Sequence, residues 1–195
     1  MDLSKNFELK VFDSIPEKFV DQVDKLLENN ESNNRINDQN TLSEYSKENF
    51  NNQKDRINYI AAFTVKEVIG IVIVFKRKIE FKDKKIILGG LGGVGTKKEY
   101  RGRGIASSML KLAQKILRES DSDVAYLDTD IKDPVMLKMY GRLGFELLNR
   151  SHTYKGKSGK KYFANNGMIA PINSLDIFNE IMNEDKPFDL GGSNW

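Results

Sequence analysis

The stretch Val94-Gly95-Thr96-Lys97-Lys98-Glu99-Tyr100-Arg101-Gly102-Arg103-Gly104-Ile105-Ala106 decides the fold. An apolar, glycine-dotted segment enters a loop that carries Arg101, Gly102, Arg103 and Gly104, and a helical period starts at once. Ala106, Met109, Leu110, Ala113, Ile116 and Leu117 mark one face of that helix. The first turn of a helix leaves main-chain N–H groups without intrahelical acceptors, and its dipole favours negative charge. Gly102 and Gly104 let the backbone approach an anion with no side chain in the way. Arg101 and Arg103 add charge-assisted donors. The pattern points to a diphosphate at the mouth of the helix.

Working outward, the upstream sequence reads as strands. Phe7, Leu9 and Val11 alternate with Glu8 and Lys10, which predicts a first strand over 7–12. Ser14 is placed to cap a helix, with Pro16 near its first position and Phe19, Val20, Val23, Leu26 and Leu27 at helical spacing. An asparagine-rich run over 29–40 predicts a loop, and 41–52 a short helix. Residues 57–66, 68–78 and 86–94 have the β-branched and aromatic density of strands joined by turns at Glu67 and at Lys82-Asp83-Lys84, an antiparallel meander. The basic cluster over 76–85 reads as the solvated end of a hairpin.

Downstream of the helix, Val124–Asp128 is a short strand. Asp133 and Pro134 open a second helix that runs to Leu143 and stops at Gly144. A strand from Phe145 continues toward Tyr154, Gly156-Lys157-Ser158-Gly159 forms a turn, and 161–172 returns as one strand. Two glycine patterns are decoys. Gly90-Leu91-Gly92-Gly93-Val94-Gly95 fits a dinucleotide fingerprint, but no helix opens there. Gly156-Lys157-Ser158 would need glycine at 151 to be a P-loop, and Ser151 stands there.

Composition narrows the chemistry. At 195 residues the chain has room for one full core. Cysteine is absent and His152 is the single histidine, which excludes disulfides, a thiol nucleophile and a histidine-rich metal site. The net charge of +3 is too small to argue for nucleic acid or a membrane surface. Neither a signal-peptide core nor a spanning apolar run is present, so the expected location is the cytoplasm.

Arg101-x-x-Gly104-x-Ala106 matches the R/Q-x-x-G-x-G/A signature of the GNAT superfamily of acyl-CoA N-acyltransferases. Met139-Tyr140-Gly141-Arg142-Leu143-Gly144-Phe145 resembles that family's L-Y-x-x-x-G-F segment. The resemblance spans about residues 7–170, as one acyltransferase domain, with 171–195 as an acidic helix and tail packed on it. It implies an α/β (α+β) fold: a mixed, mostly antiparallel central sheet with one parallel, splayed strand pair, flanked by helices. The splayed strands would be 86–94 and 124–128. It implies acetyl-CoA as co-substrate and no metal. Val94, Gly95 and Thr96 would line the pantetheine arm through their backbone, and Arg101, Gly102, Arg103, Gly104, Ile105, Ala106 and Ser107 would hold the pyrophosphate. A backbone N–H near Gly93 or Val94 would polarise the thioester carbonyl. Asp133 departs from the asparagine that many members carry, which leaves one coenzyme contact open.

The implied reaction is direct attack of an amine on the thioester, with Tyr140 as the acid that protonates the departing sulfur. The bland alternative for Tyr140 is a half-buried helix aromatic. The base stays open among water, a backbone carbonyl, Asp128, Asp130 and His152. Leu88-Gly89-Gly90-Leu91-Gly92-Gly93-Val94-Gly95-Thr96 resembles the same strand in aminoglycoside 2′-N-acetyltransferases and nodulation N-acyltransferases, and Gly192-Ser193-Asn194-Trp195 the tail of that group. Asp176, Glu180, Glu184, Asp185 and Asp189 against Lys186 alone would make an acidic wall that attracts an amino sugar. The expected acceptor is therefore a small-molecule amine, with no nucleic acid or membrane partner and a homodimer left open. The alternatives are a protein or peptide N-acetyltransferase and a non-catalytic acyl-CoA sensor.

Overall fold

The computed structural model describes residues 7–31, 55–156 and 158–192. The expected helix over 41–52, most of the asparagine-rich run and Trp195 lie outside the described residues. A seven-stranded sheet forms the centre, in the order β1-β2-β3-β4-β5-β9-β6. Its strands are β1 (Glu8–Phe12), β2 (Arg56–Phe63), β3 (Val68–Phe81), β4 (Lys84–Thr96), β5 (Val124–Asp128), β6 (Glu146–Leu147) and β9 (Gly167–Pro171). All neighbours are antiparallel except β4 and β5, which run parallel because α2 (Ile105–Glu119) crosses between them. This is the mixed sheet with one parallel pair that the family resemblance implies.

Both faces of the sheet are covered, so its central strands read as continuous apolar runs rather than strict alternations. On one face, α2 and α3 (Pro134–Gly141) pack Ile105, Met109, Leu110, Ala113, Leu117 and Tyr140 against Ile60, Val72, Leu91, Ala125 and Leu127. On the other face, α1 (Val20–Glu31) lays Val23 and Leu26 on Ala61, Phe63 and Ile71. Beside it, α4 (Leu175–Met182) and a small second sheet cover β5 and β9 through Phe178, Ile181, Tyr154 and Phe188.

Several boundaries differ from the sequence reading. Ser14 is not the cap: Pro16 precedes a single 3₁₀ turn, Glu17–Phe19, that feeds α1. The helix of α3 ends at Gly141, two residues short, and Gly144 at φ +84° closes the turn that follows. The expected strand over 145–154 is two. Glu146–Leu147 joins the large sheet, whereas β7 (His152–Lys155) is the middle strand of the second sheet, between β8 (Lys161–Ala164) and β10 (Phe188–Asp189). The expected strand over 161–172 is likewise split between β8 and β9, so the chain changes sheets around 165–166. Pairing of β10 with β7 is parallel and long-range, which local periodicity does not register.

Candidate active site

The centre of the site is a parting of strands. Pairing of β4 with β5 is confined to Leu88↔Val124, Gly89↔Ala125 and Gly90↔Tyr126. Beyond that point β4 stays with β3 as far as Thr96, while β5 stays with β9 as far as Asp128. A wedge therefore opens at the C-terminal ends of the two parallel strands. A β-bulge bends β4 away: Ile73 faces Gly92 and Ile71 faces Gly95, so Gly93 and Val94 together oppose Val72. Gly93 takes φ +57°, and a Cβ on it would lie 2.7 Å from Leu27 Cδ2 of α1 and 3.0 Å from Ile73 Cδ1.

At the mouth of the wedge, β4 runs into a 3₁₀ turn at Lys98–Tyr100 and then into α2. Gly102 and Gly104 both adopt φ +76°, and a Cβ at either would meet nothing within 4 Å. Gly104 is the helix cap, and Ser108 N–H is the first helical donor, to Gly104 O at 2.9 Å. The main-chain N–H groups of 102–107 have no hydrogen-bond acceptor among the described residues. Thr96 Oγ1 is a buried hydroxyl, also without a hydrogen-bond partner among the described residues. Exposed loop, left-handed glycines, a fan of unspent N–H groups and an orphaned hydroxyl fit a diphosphate followed by a polar arm.

The arginines are braced within the loop. Arg101 Nε donates to Thr96 O at 3.1 Å, and an Arg103 terminal nitrogen to Glu99 O at 3.0 Å. Each keeps further N–H donors in its fork. Asp133 is spent as the N-cap of α3, where its Oδ1 accepts from Val135 N–H at 2.8 Å and Met136 N–H at 3.3 Å.

Tyr140 projects from α3 into the core on the α2/α3 face, 5% exposed, edge-on to Phe145 at 6.1 Å. Desolvation pushes its phenol up to about 12, so it is protonated across the physiological range. Leu91 and Leu127, from the two strands that part, belong to the same core cluster.

The opposite face holds a cluster in which Asp128 and His152 were separate candidates from the sequence and Tyr126 was missed. Tyr126 hydroxyl donates to Asp128 Oδ1, and His152 Nε2 lies 3.4 Å from the same oxygen. The imidazole is fully buried, and neither ring nitrogen makes an aligned hydrogen bond among the described residues. Burial drives the His152 pKa down and Asp128 pulls it back only in part, so the ring is neutral at pH 7. Asp130 is occupied elsewhere, accepting Lys132 N–H at 2.9 Å in a turn.

The expected acidic wall is not a free one. Lys84 bonds Glu180 at 2.6 Å, Lys82 bonds Glu184 at 2.8 Å, and Lys161 lies 3.4 Å from Asp189. The lysines Lys82 and Lys84 belong to the β3–β4 turn, at the far end of β4 from the loop. Three of the wall's five carboxylates are thus paired with lysines where an unpaired negative surface was expected.

Comparisons with known proteins agree with this geometry. Residues 17–148 match the family described as Acetyltransferase (GNAT) domain. A segment of 57 residues is 40% identical to N-alpha-acetyltransferase MAK3 of Arabidopsis thaliana, covering 29% of this chain and 30% of that protein's length. The fold resembles a chain of the NatC complex bound to Gag peptide and CoA, with TM-score 0.58 and 19% identity over 85% of this chain and 98% of that one. It also resembles the ribosomal-protein-S18-alanine N-acetyltransferase of Escherichia coli, with TM-score 0.54 and 13% identity over 93% of this chain and 100% of that one. With the matched region covering most of its length and the parted strands and glycine loop in place, the chain belongs to the GNAT acetyltransferase family, whose members use acetyl-CoA.

Proposed function

We propose that this protein is an acetyl-CoA-dependent N-acetyltransferase that acts on a primary amine by direct attack. The observation that carries the reading is the end of β4–β5 pairing at Gly90 and Tyr126, on the strand that leads into the open N–H groups at the start of α2. The amides of 102–107 hold the pyrophosphate, Val94, Gly95 and Thr96 line the arm, and the Gly93–Val94 bulge faces the thioester.

The two faces of the sheet divide the proton chemistry. Asp128, held by the Tyr126 hydroxyl, takes the proton from the acceptor's ammonium on one face. The amine nitrogen bonds to the acyl carbon as the carbon–sulfur bond breaks. Tyr140, kept protonated by burial, gives its proton to the departing sulfur from the other face, and the second proton that the nitrogen sheds as the amide forms returns through solvent to the tyrosinate.

For the acceptor, a peptide or protein α-amine is the better-supported class. The pairing of Glu180, Glu184 and Asp189 with lysines weakens the electrostatic case for an amino sugar. The similarities to MAK3 and to the peptide-bound NatC chain supply a case for a peptide. The glycine-rich β4 keeps a small-molecule amine as the second reading.

Thiol release from acetyl-CoA against a panel of N-terminal peptides, polyamines and aminoglycosides tests the assignment. Tyr140→Phe is expected to lose about 10²-fold or more in turnover while calorimetric affinity for coenzyme A stays unchanged. Full turnover in that variant would remove the acid, and no turnover of the unmodified protein on any amine would favour a sensor.

A further inference from the structure

The pyrophosphate loop faces a mechanical problem. It contains two left-handed glycines, the residues that hold a backbone least firmly, and its N–H groups repel one another's partial charges until an anion arrives. The loop must be held from outside. Glu67, in the turn between β2 and β3, lies 30 residues before Lys97 and makes one contact with Lys97 and one with Tyr100. One carboxylate oxygen pairs with Lys97 Nζ, and the other accepts from Tyr100 hydroxyl at 3.1 Å. These residues bracket the 3₁₀ turn at Lys98–Tyr100. Lys97 N–H is fixed as well, to Ile69 O at 2.9 Å. Beyond Tyr100 the chain of contacts continues, because the Arg103 guanidinium lies over its ring at 5.2 Å, between the two glycines.

The charge of Glu67 sharpens the point. A carboxylate near a diphosphate repels it, so on electrostatics alone the loop would do better without one. Lys97 cancels that charge locally and holds the carboxyl below its ordinary pKa, so it remains an acceptor for Tyr100 at neutral pH. An ion pair this exposed adds little to global stability. Its geometry, gripping both ends of one turn, serves the loop.

We infer that Glu67 is a positioning residue for the coenzyme: through Lys97 and Tyr100 it presets the loop whose amides receive the pyrophosphate. This rests on the acetyltransferase reading above. Calorimetry with coenzyme A and initial rates with acetyl-CoA on Glu67→Ala, Glu67→Gln and Tyr100→Phe test it. Glu67→Ala is expected to weaken coenzyme A binding and raise the KM for acetyl-CoA about tenfold, with kcat at saturation within about twofold. Its melting temperature shifts by only a few degrees. Glu67→Gln, which keeps an acceptor for Tyr100, falls between, and Tyr100→Phe adds nothing in the Glu67→Ala background. Unchanged or tighter binding in Glu67→Ala, the result that charge repulsion alone predicts, would overturn the inference. So would a collapse of melting temperature and kcat together, which marks a role in the fold. If the unmodified protein fails to bind coenzyme A, the functional reading fails first, and that outcome is seen before any variant is made.

Discussion

Gly104 combines two demands at one residue. Its φ of +76° favours glycine, and the space where a Cβ would stand is open toward the loop mouth. Gly104→Val is expected to abolish measurable coenzyme A binding, partly through strain and partly by filling the cradle, while circular dichroism reports an intact fold. Binding at the original affinity would move the pyrophosphate elsewhere. Tyr140 carries a second prediction, in its titration. An unfolded tyrosine releases its proton near 10 and the folded one near 12. The folded state thus binds more protons in that window, and stability falls as pH rises through it, by about 2–3 kcal/mol in all. Tyr140→Phe should flatten the alkaline limb of melting temperature against pH relative to the unmodified protein; parallel limbs would place the phenol in water. Residue placements were legible only where a motif fixed them. Arg101-x-x-Gly104-x-Ala106 named the loop, but nothing local linked Asp128 to His152, since their contact depends on β7 leaving the large sheet.

Among the elements, β4 does the most with its sequence. Its run of glycines is plain in the sequence, and the structure adds a specific use for one of them. Gly93 forms the bulge at φ +57°, under Leu27 and Ile73. Gly93→Ala is expected to cost about 1–2 kcal/mol through backbone strain alone. Because the bulge sets where β4 leaves β5, the KM for acetyl-CoA should rise with it. A stable variant with unchanged kinetics would separate the bulge from the site. The strands of the meander, α2 and β5 were legible because each is long or strongly patterned. The exchange of strands between sheets was not. Leu147 and His152 lie five residues apart yet join different sheets, and β8 and β9 are separated by Asn165 and Asn166 alone. Alternation looks the same on either side of such a switch; only the partners differ.

At the scale of the molecule, Arg77 ties together segments that are far apart in sequence. It is 8% exposed, forms a 2.8 Å ion pair with Asp55 at the entrance to β2, and donates to Leu190 O at 3.1 Å. Desolvation draws its pKa down to about 10, with Asp55 opposing. The hairpin reading of the basic cluster thus holds for Lys78, Lys82, Lys84 and Lys85; it fails for Lys76, which donates to Ser120 O at 3.2 Å, and for Arg77, which a count of charges cannot single out. Arg77→Ala leaves Asp55 without its cation and is expected to cost about 3 kcal/mol, measured by urea unfolding. A cost near zero would show that water replaces the guanidinium. The same tie has a consequence for how the native state opens. A two-residue strand in a small sheet ordinarily lets its amides trade hydrogen for deuterium within moments, by local fraying. Here Phe188 N–H is bonded to Ser151 O and Leu190 N–H to Thr153 O, and both side chains are buried. Those two amides should therefore be protected as long as the strands of the large sheet, and be released only when the whole domain opens.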